Sequence, residues 1–437
     1  MSPSISKHYM NREPSAIRKA QILFESRHDS SDIDVINLAI GNINLPMHPD
    51  MSSRLKELGN SDSPFADGIV QYSTSEGTAE CKTAIINSIN AELSLNISKD
   101  VNCVITDGGS QAMELMLLGV SGSKGNKPIM VIDPLYTNYV EFAKRLSTPM
   151  VSLDRNLNEN GLFGDLDISL IRKKINEETP NGILIIPADN PTGLQMSQNS
   201  INEIAKISVE KDIWLISDEA YRNIYFSDSG PSSIWQISNT DVPGIEGRRI
   251  SIESVSKVWN ACGLRIGALV TDNSIMYKKV RSEYTANLCA NVIGQYVFGA
   301  VAKMSSTEIT DWYSIQRTYY LKMINRLIKG LKDELPGIIL SSPGAAIYIV
   351  LDFKNITPSD FNASKFIEYC SLSGKVRIKS KYYTLLLSPM KGFYNQKLKG
   401  EKQARIALVE QESKMRIVPK ILSRLLENYL KSEKLQL

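Results

Sequence analysis

The chain has 437 residues, 42% hydrophobic and 22% charged, with a net charge of +3, enough for two cores, and its lysines lie scattered among acids, which excludes a concentrated nucleic-acid surface. No run approaches about 18 uncharged apolar residues and residues 1–20 are polar, so neither a membrane span nor a signal peptide is expected and the expected location is cytoplasmic. Five cysteines lie far apart without any C-x-x-C, and all three histidines fall within the first 48 residues, which points to reduced packing thiols and leaves no metal site expected.

In chain order, residues 15–24 read as a helix opened by Pro14-Ser15, and Val35 to Ile40 as a short strand ending on Gly41-Asn42. Gln71-Tyr72-Ser73-Thr74-Ser75-Glu76-Gly77 precedes a helix over about 78–93. From there to 271, apolar runs at 102–106, 128–132, 182–186, 213–216, 249–253 and 266–270 alternate with amphipathic stretches. Such alternation predicts a mainly parallel sheet covered by helices on both faces, with ligands beyond the carboxyl ends of the strands.

The residues just after each run are therefore the ones that matter. Asp107-Gly108-Gly109-Ser110-Gln111 opens a helix whose N–H groups can face an anion. Asp133-Pro134-Leu135-Tyr136 sends out a flat ring able to stack on a flat ligand, while Tyr139 reads as core. Asn190-Pro191-Thr192-Gly193 is a turn by composition. Asp218 ends an apolar strand, where an acid is costly unless it meets a cation.

Lys257 stands between two strand-like runs, in Ser254-Val255-Ser256-Lys257 followed by Arg265-Ile266-Gly267. A lysine that loses hydration near other cations tends to lose its proton and become a nucleophilic amine. Arg265 offers a planar fork for phosphate, and the hydroxyls of Ser254 and Ser256 can donate to the same group. The chemistry this suggests is a lysine Schiff base with a phosphorylated aldehyde cofactor. Further on, 312–335 and 418–430 read as amphipathic helices, 338–340, 347–351 and 375–378 as strands, and Arg405 sits on a strand-like alternation. The expected division is an amino-terminal segment (1–48) packing with a small carboxyl-terminal domain (312–437), around a large domain (49–311). Taken singly, each of these motifs also reads as a turn, a cap, a packing aromatic or a surface ion pair.

Their order resembles the class I/II aminotransferases, the pyridoxal-phosphate enzymes of fold type I. The resemblance implies an α/β fold with a seven-stranded-type sheet plus a smaller α/β domain, pyridoxal 5'-phosphate as cofactor, and amino-group transfer between an L-amino acid and a 2-keto acid. It assigns Lys257 to cofactor attachment and proton transfer; Ser110, Gln111, Ser254, Ser256 and Arg265 to the phosphate; Tyr136 to stacking on the ring; Asn190 and Tyr221 to the phenolic oxygen; and Asp218 to the ring nitrogen. Gly41, Asn190 and Arg405 border the substrate carboxylate, and Tyr72 reaches the phosphate of a neighbouring subunit, which implies a homodimer. The stretch from Tyr382 to Gln403 departs from the short loop the family has there. Elimination, decarboxylation or oxidation on the same cofactor is the alternative chemistry, and a non-catalytic cofactor-binding relative the alternative class.

Overall fold

The computed structural model describes residues 3–164, 166–395 and 399–433. Its strands in chain order are β1 (Ile33–Asn37), β2 (Asn102–Asp107), β3 (Ile129–Asp133), β4 (Met150–Asp154), β5 (Gly182–Ile185), β6 (Trp214–Asp218), β7 (Arg249–Ser254), β8 (Ile266–Thr271), β9 (Ile339–Leu340), β10 (Tyr348–Asp352), β11 (Val376–Ile378), β12 (Lys381–Leu386), β13 (Ser388–Pro389) and β14 (Gln403–Ala407). Seven of them form one sheet in the order β2-β8-β7-β6-β5-β3-β4. The pairs from β4 through β7 are parallel, and β8 runs antiparallel to both of its neighbours. The expectation of a mainly parallel α/β sheet is met.

The central strands read as unbroken apolar runs because helices cover both faces. Alternate residues go to opposite cores. Ile129, Val131, Ile250 and Ile252 pack with the helix Gly109–Val120 on one side, whereas Met130, Ile132, Ile183 and Ile185 join the core on the other. The edge strand β4 was not among the six expected runs. It lies at the rim with only Ser152 buried, so it lacks the apolar density that marks its neighbours.

The helix Ser306–Glu334 begins six residues earlier than expected, at a capping box in which Ser305 and Glu308 satisfy each other's backbone N–H groups. Twenty-nine residues of helix span about 43 Å, and the helix packs against both Ala79–Leu93 and the final helix Val418–Ser432. Two small sheets complete the described residues. One is antiparallel, β13-β14-β10-β9; in the other, β1 pairs parallel to β12 beside β11. The stretch from Tyr382, expected as a loop, is a strand through Leu386, because Thr384, Leu385 and Leu386 are buried while Lys381 and Tyr382 are exposed. Residues 396–398 of that stretch lie outside the described residues.

Candidate active site

One cavity of about 710 Å³ gathers side chains from both parts of the molecule. Its floor is the carboxyl edge of β3, β5, β6 and β7, and its roof comes from the loop after β1 and from β10 and β14. Arg265 precedes its strand rather than following it. It still reaches the same edge because β8 is reversed.

Gly109 and Ser110, at the start of the helix Gly109–Val120, line one end of the cavity with Ser254, Ser256 and Arg265. Gly108 adopts φ +75°, and a Cβ there would stand 2.9 Å from the Arg265 Cζ. Only glycine serves both demands. The guanidinium donates to the Cys262 and Asp107 carbonyls at 3.1 and 3.4 Å and meets no carboxylate among the described residues. Helix N–H groups, hydroxyls and a free guanidinium together fit a phosphate. Gln111, expected beside that group, does not line the cavity: its side-chain oxygen accepts from the Asp107 N–H at 2.9 Å.

Asp218 ends β6 and lines the cavity. Burial raises its pKa, against the pull of two hydrogen bonds: the Tyr139 hydroxyl donates to Oδ2 at 2.5 Å and the Ala220 N–H to Oδ1 at 3.1 Å. Tyr139, expected as core, is buried and yet performs this polar task. Its hydroxyl is hidden in a helix pattern that also suits packing, so no sequence signal marks it. Tyr136 meets Tyr139 edge-on at 5.5 Å and accepts from the Asn138 side chain at 2.8 Å, with its ring on the cavity wall. Glu219 turns to the opposite side, accepting from Ser217 and Ser233 and pairing with Arg222.

Lys257 is half-buried in the turn after β7, and its ammonium donates to the Gly41 carbonyl. A Cβ on Gly41 would lie 2.6 Å from the Tyr348 hydroxyl and 2.9 Å from the Lys257 Nζ. The backbone passes between those two side chains only because residue 41 carries none.

Arg405 is 1% exposed, the largest fully buried side chain among the described residues. Its donors reach the Asn190 side-chain oxygen at 2.8 Å, the Ala39 carbonyl at 2.5 Å and the Ser388 hydroxyl at 3.4 Å. The Tyr348 and Phe393 rings lie 4.3 and 4.8 Å from its Cζ. Every acceptor is neutral, Nε has no partner, and burial lowers its pKa. A buried cation with only neutral partners is a poor structural device and a good receptor for a carboxylate. Tyr221 is buried, and its hydroxyl pairs at 2.5 Å with that of Tyr348, a residue that reads from sequence as one more apolar strand position. Of the expected residues, Tyr72 alone with Gln111 stays out of the cavity: Tyr72 is 75% exposed.

Among the described residues there is no group of three His, Cys, Asp or Glu placed to hold a metal, and no helix is long and apolar enough to cross a membrane. All five cysteines are unpaired.

The chain is similar to known proteins. The family model for aminotransferase class I and II matches residues 33–389. The chain is 26% identical over 374 residues to a probable aspartate aminotransferase of Methanocaldococcus jannaschii, covering 83% of this chain and 88% of that protein. It is 25% identical over 366 residues to aromatic-amino-acid aminotransferase 2 of Thermococcus litoralis, with 83% and 86% covered. The fold superposes on a Thermus thermophilus aspartate aminotransferase mutant with a TM-score of 0.78 at 18% identity, over 97% of this chain and all of the other.

Proposed function

Because this chain belongs to the class I and II aminotransferases, we propose that the cavity around Lys257 is where it binds pyridoxal phosphate and exchanges amino groups between an amino acid and a 2-keto acid. Amino-group transfer is the family's reaction and pyridoxal phosphate the family's cofactor; the assignment of residues to it is our reading. The observation that carries it is the convergence on one 710 Å³ cavity of Lys257, Asp218, Arg265 and Arg405. Each of the four is chemically incomplete as it stands: an amine held only by a carbonyl, a carboxyl whose pKa burial has raised, and two guanidinium groups without a carboxylate.

These residues fit the cofactor. Asp218 would meet its ring nitrogen, Tyr136 its face, Asn190 and Tyr221 its phenolic oxygen, and Ser110, Ser254, Ser256 and Arg265 its phosphate. When bound, pyridoxal phosphate supplies an aldehyde to take the amino group and a ring that draws electrons from the substrate's α-carbon. Arg405 grips the substrate carboxylate with paired N–H donors, and the neutral contacts around it leave its charge free for that partner. This fixes the α-carbon near Lys257. The amine of Lys257, once free, removes the proton from that carbon and returns it on the far side of the exchange as general base and then acid. Asp218 would carry the negative charge beside the ring nitrogen, and the Tyr139 hydroxyl and the Ala220 N–H favour that charge against the burial that raises its pKa.

The same reading makes the protein a homodimer, with Tyr72 completing the partner's phosphate site. Its support is that Ile69, Val70 and Tyr72 are 58%, 53% and 75% exposed in a single copy, an apolar strip that a second copy would cover. Mixing Lys257→Ala and Tyr72→Ala chains should then restore activity to one site per mixed dimer, whereas additive inactivity counts against a shared site. For the reaction itself, Lys257→Ala should lose the visible cofactor band and nearly all turnover. A panel of amino acids with 2-oxoglutarate should show keto-acid-dependent exchange; turnover independent of any keto acid would favour elimination or decarboxylation.

A further inference from the structure

The hydroxyl pair Tyr221–Tyr348 is the least expected feature of the cavity. Tyr221 follows β6 of the large sheet; Tyr348 opens β10 of the small antiparallel sheet, where it pairs with Ala407, two residues beyond Arg405. The two residues are 127 positions apart, both are buried, and their oxygens are 2.5 Å apart. Their rings meet edge-on at 5.6 Å. Among the described residues, the charged and titratable groups around the pair are Tyr136, Lys257, Tyr320 and Arg405.

Two facing hydroxyls share one hydrogen, so one donates and the other keeps its own proton for another acceptor. Arg405 decides which. Its guanidinium lies 4.3 Å from the centre of the Tyr348 ring, and a cation against a phenol ring makes that O–H the better donor. The sense this favours, with Tyr348 donating to Tyr221, leaves the Tyr221 hydrogen for the cavity. A donated hydrogen bond also polarises the acceptor's own O–H and strengthens its next donation. We propose that Tyr348 is a positioning residue, whose hydroxyl orients and strengthens the Tyr221 O–H toward the phenolic oxygen of the cofactor and ties that bond to the strand pair carrying Arg405.

This rests on the reading of the cavity as a pyridoxal-phosphate site, and its test does not depend on turnover. The visible band of the loaded protein titrates with the proton held between the Lys257 nitrogen and the ring oxygen. A donor to that oxygen stabilises the form that has lost the proton, so weakening the donor moves the midpoint to higher pH. Tyr348→Phe keeps the ring over Arg405 and removes only the hydroxyl. The expected result is a midpoint raised by roughly half a pH unit to one unit, with a larger rise in the same direction for Tyr221→Phe. In the Tyr221→Phe background, adding Tyr348→Phe should move the midpoint no further, since the second hydroxyl acts only through the first.

An unchanged midpoint in Tyr348→Phe overturns the proposal, as does an equal increment with and without Tyr221. A thermal midpoint close to wild type confirms that each variant is folded when its band is read. A wild-type chain that develops no visible band with pyridoxal phosphate overturns the cofactor reading itself, which separates the two failures.

Discussion

Replacing Arg405 with methionine should leave the protein folded and remove its hold on substrate. The guanidinium is 1% exposed, with three neutral acceptors and an unpartnered Nε. Losing those three hydrogen bonds at about 1 kcal/mol each destabilises by about 3 kcal/mol. Removing an unpaired buried charge, whose desolvation is worth several kcal/mol, acts in the opposite direction. Methionine fills similar space between Tyr348 and Phe393, so the two effects nearly cancel and Tm should move by only a few degrees. Catalysis has no such compensation. Truncating one side of a buried charge pair removes about 2–5 kcal/mol, which lowers kcat/KM roughly thirtyfold to several-thousandfold. The assay compares an amino acid with the amine that lacks its carboxylate: wild type should prefer the acid strongly, and the variant should lose that preference. An unreactive monocarboxylate should also raise the Tm of wild type and leave that of Arg405→Met unchanged. A folded variant with kcat/KM within threefold of wild type, or one that keeps its preference for the carboxylate, would refute the assignment.

Tyr139→Phe should weaken pyridoxal-phosphate binding about tenfold or more, because a hydrogen bond to a charged carboxylate contributes about 1.5–3 kcal/mol and Asp218 loses its partner at 2.5 Å; titration of the cofactor-free chain measures it, and equal affinity would return Tyr139 to the packing core. Asp29 tests the attachment of the amino-terminal segment. Its carboxylate accepts from Arg27 at 2.8 Å and Lys375 at 2.7 Å, and these bonds hold its pKa well below the ordinary range. A depressed carboxylate pKa contributes stability that is present above the unfolded value and lost as pH falls through the folded one. Asp29→Asn should therefore lower stability at neutral pH by on the order of 1 kcal/mol for a pair this exposed, with the difference from wild type closing in strong acid; a gap that widens on acidification would contradict the linkage.

The chain's own pattern was enough to predict a mainly parallel sheet covered by helices and to single out the turns that leave its strands. Those signals are local: a strand buried on both faces must be apolar throughout, and the turn that leaves it must carry glycine, proline or a capping residue whatever lies across the cavity. Gly108, Asn190 and Lys257 were legible for that reason. The edge strand β4 was not, because its sides are only half covered, and β12 was not, because it is ordered by pairing with β1, some 350 residues earlier in the chain. What tertiary structure alone decided is the company each group keeps. Tyr139 and Tyr348 look like core aromatics until the fold sets one hydroxyl on Asp218 and the other on Tyr221. Arg405 could as well be a surface ion pair until burial strips it of every anionic partner. A residue's type and neighbours in sequence govern its backbone, but its charge balance depends on groups brought from hundreds of positions away, and the chemistry of this cavity depends on that balance.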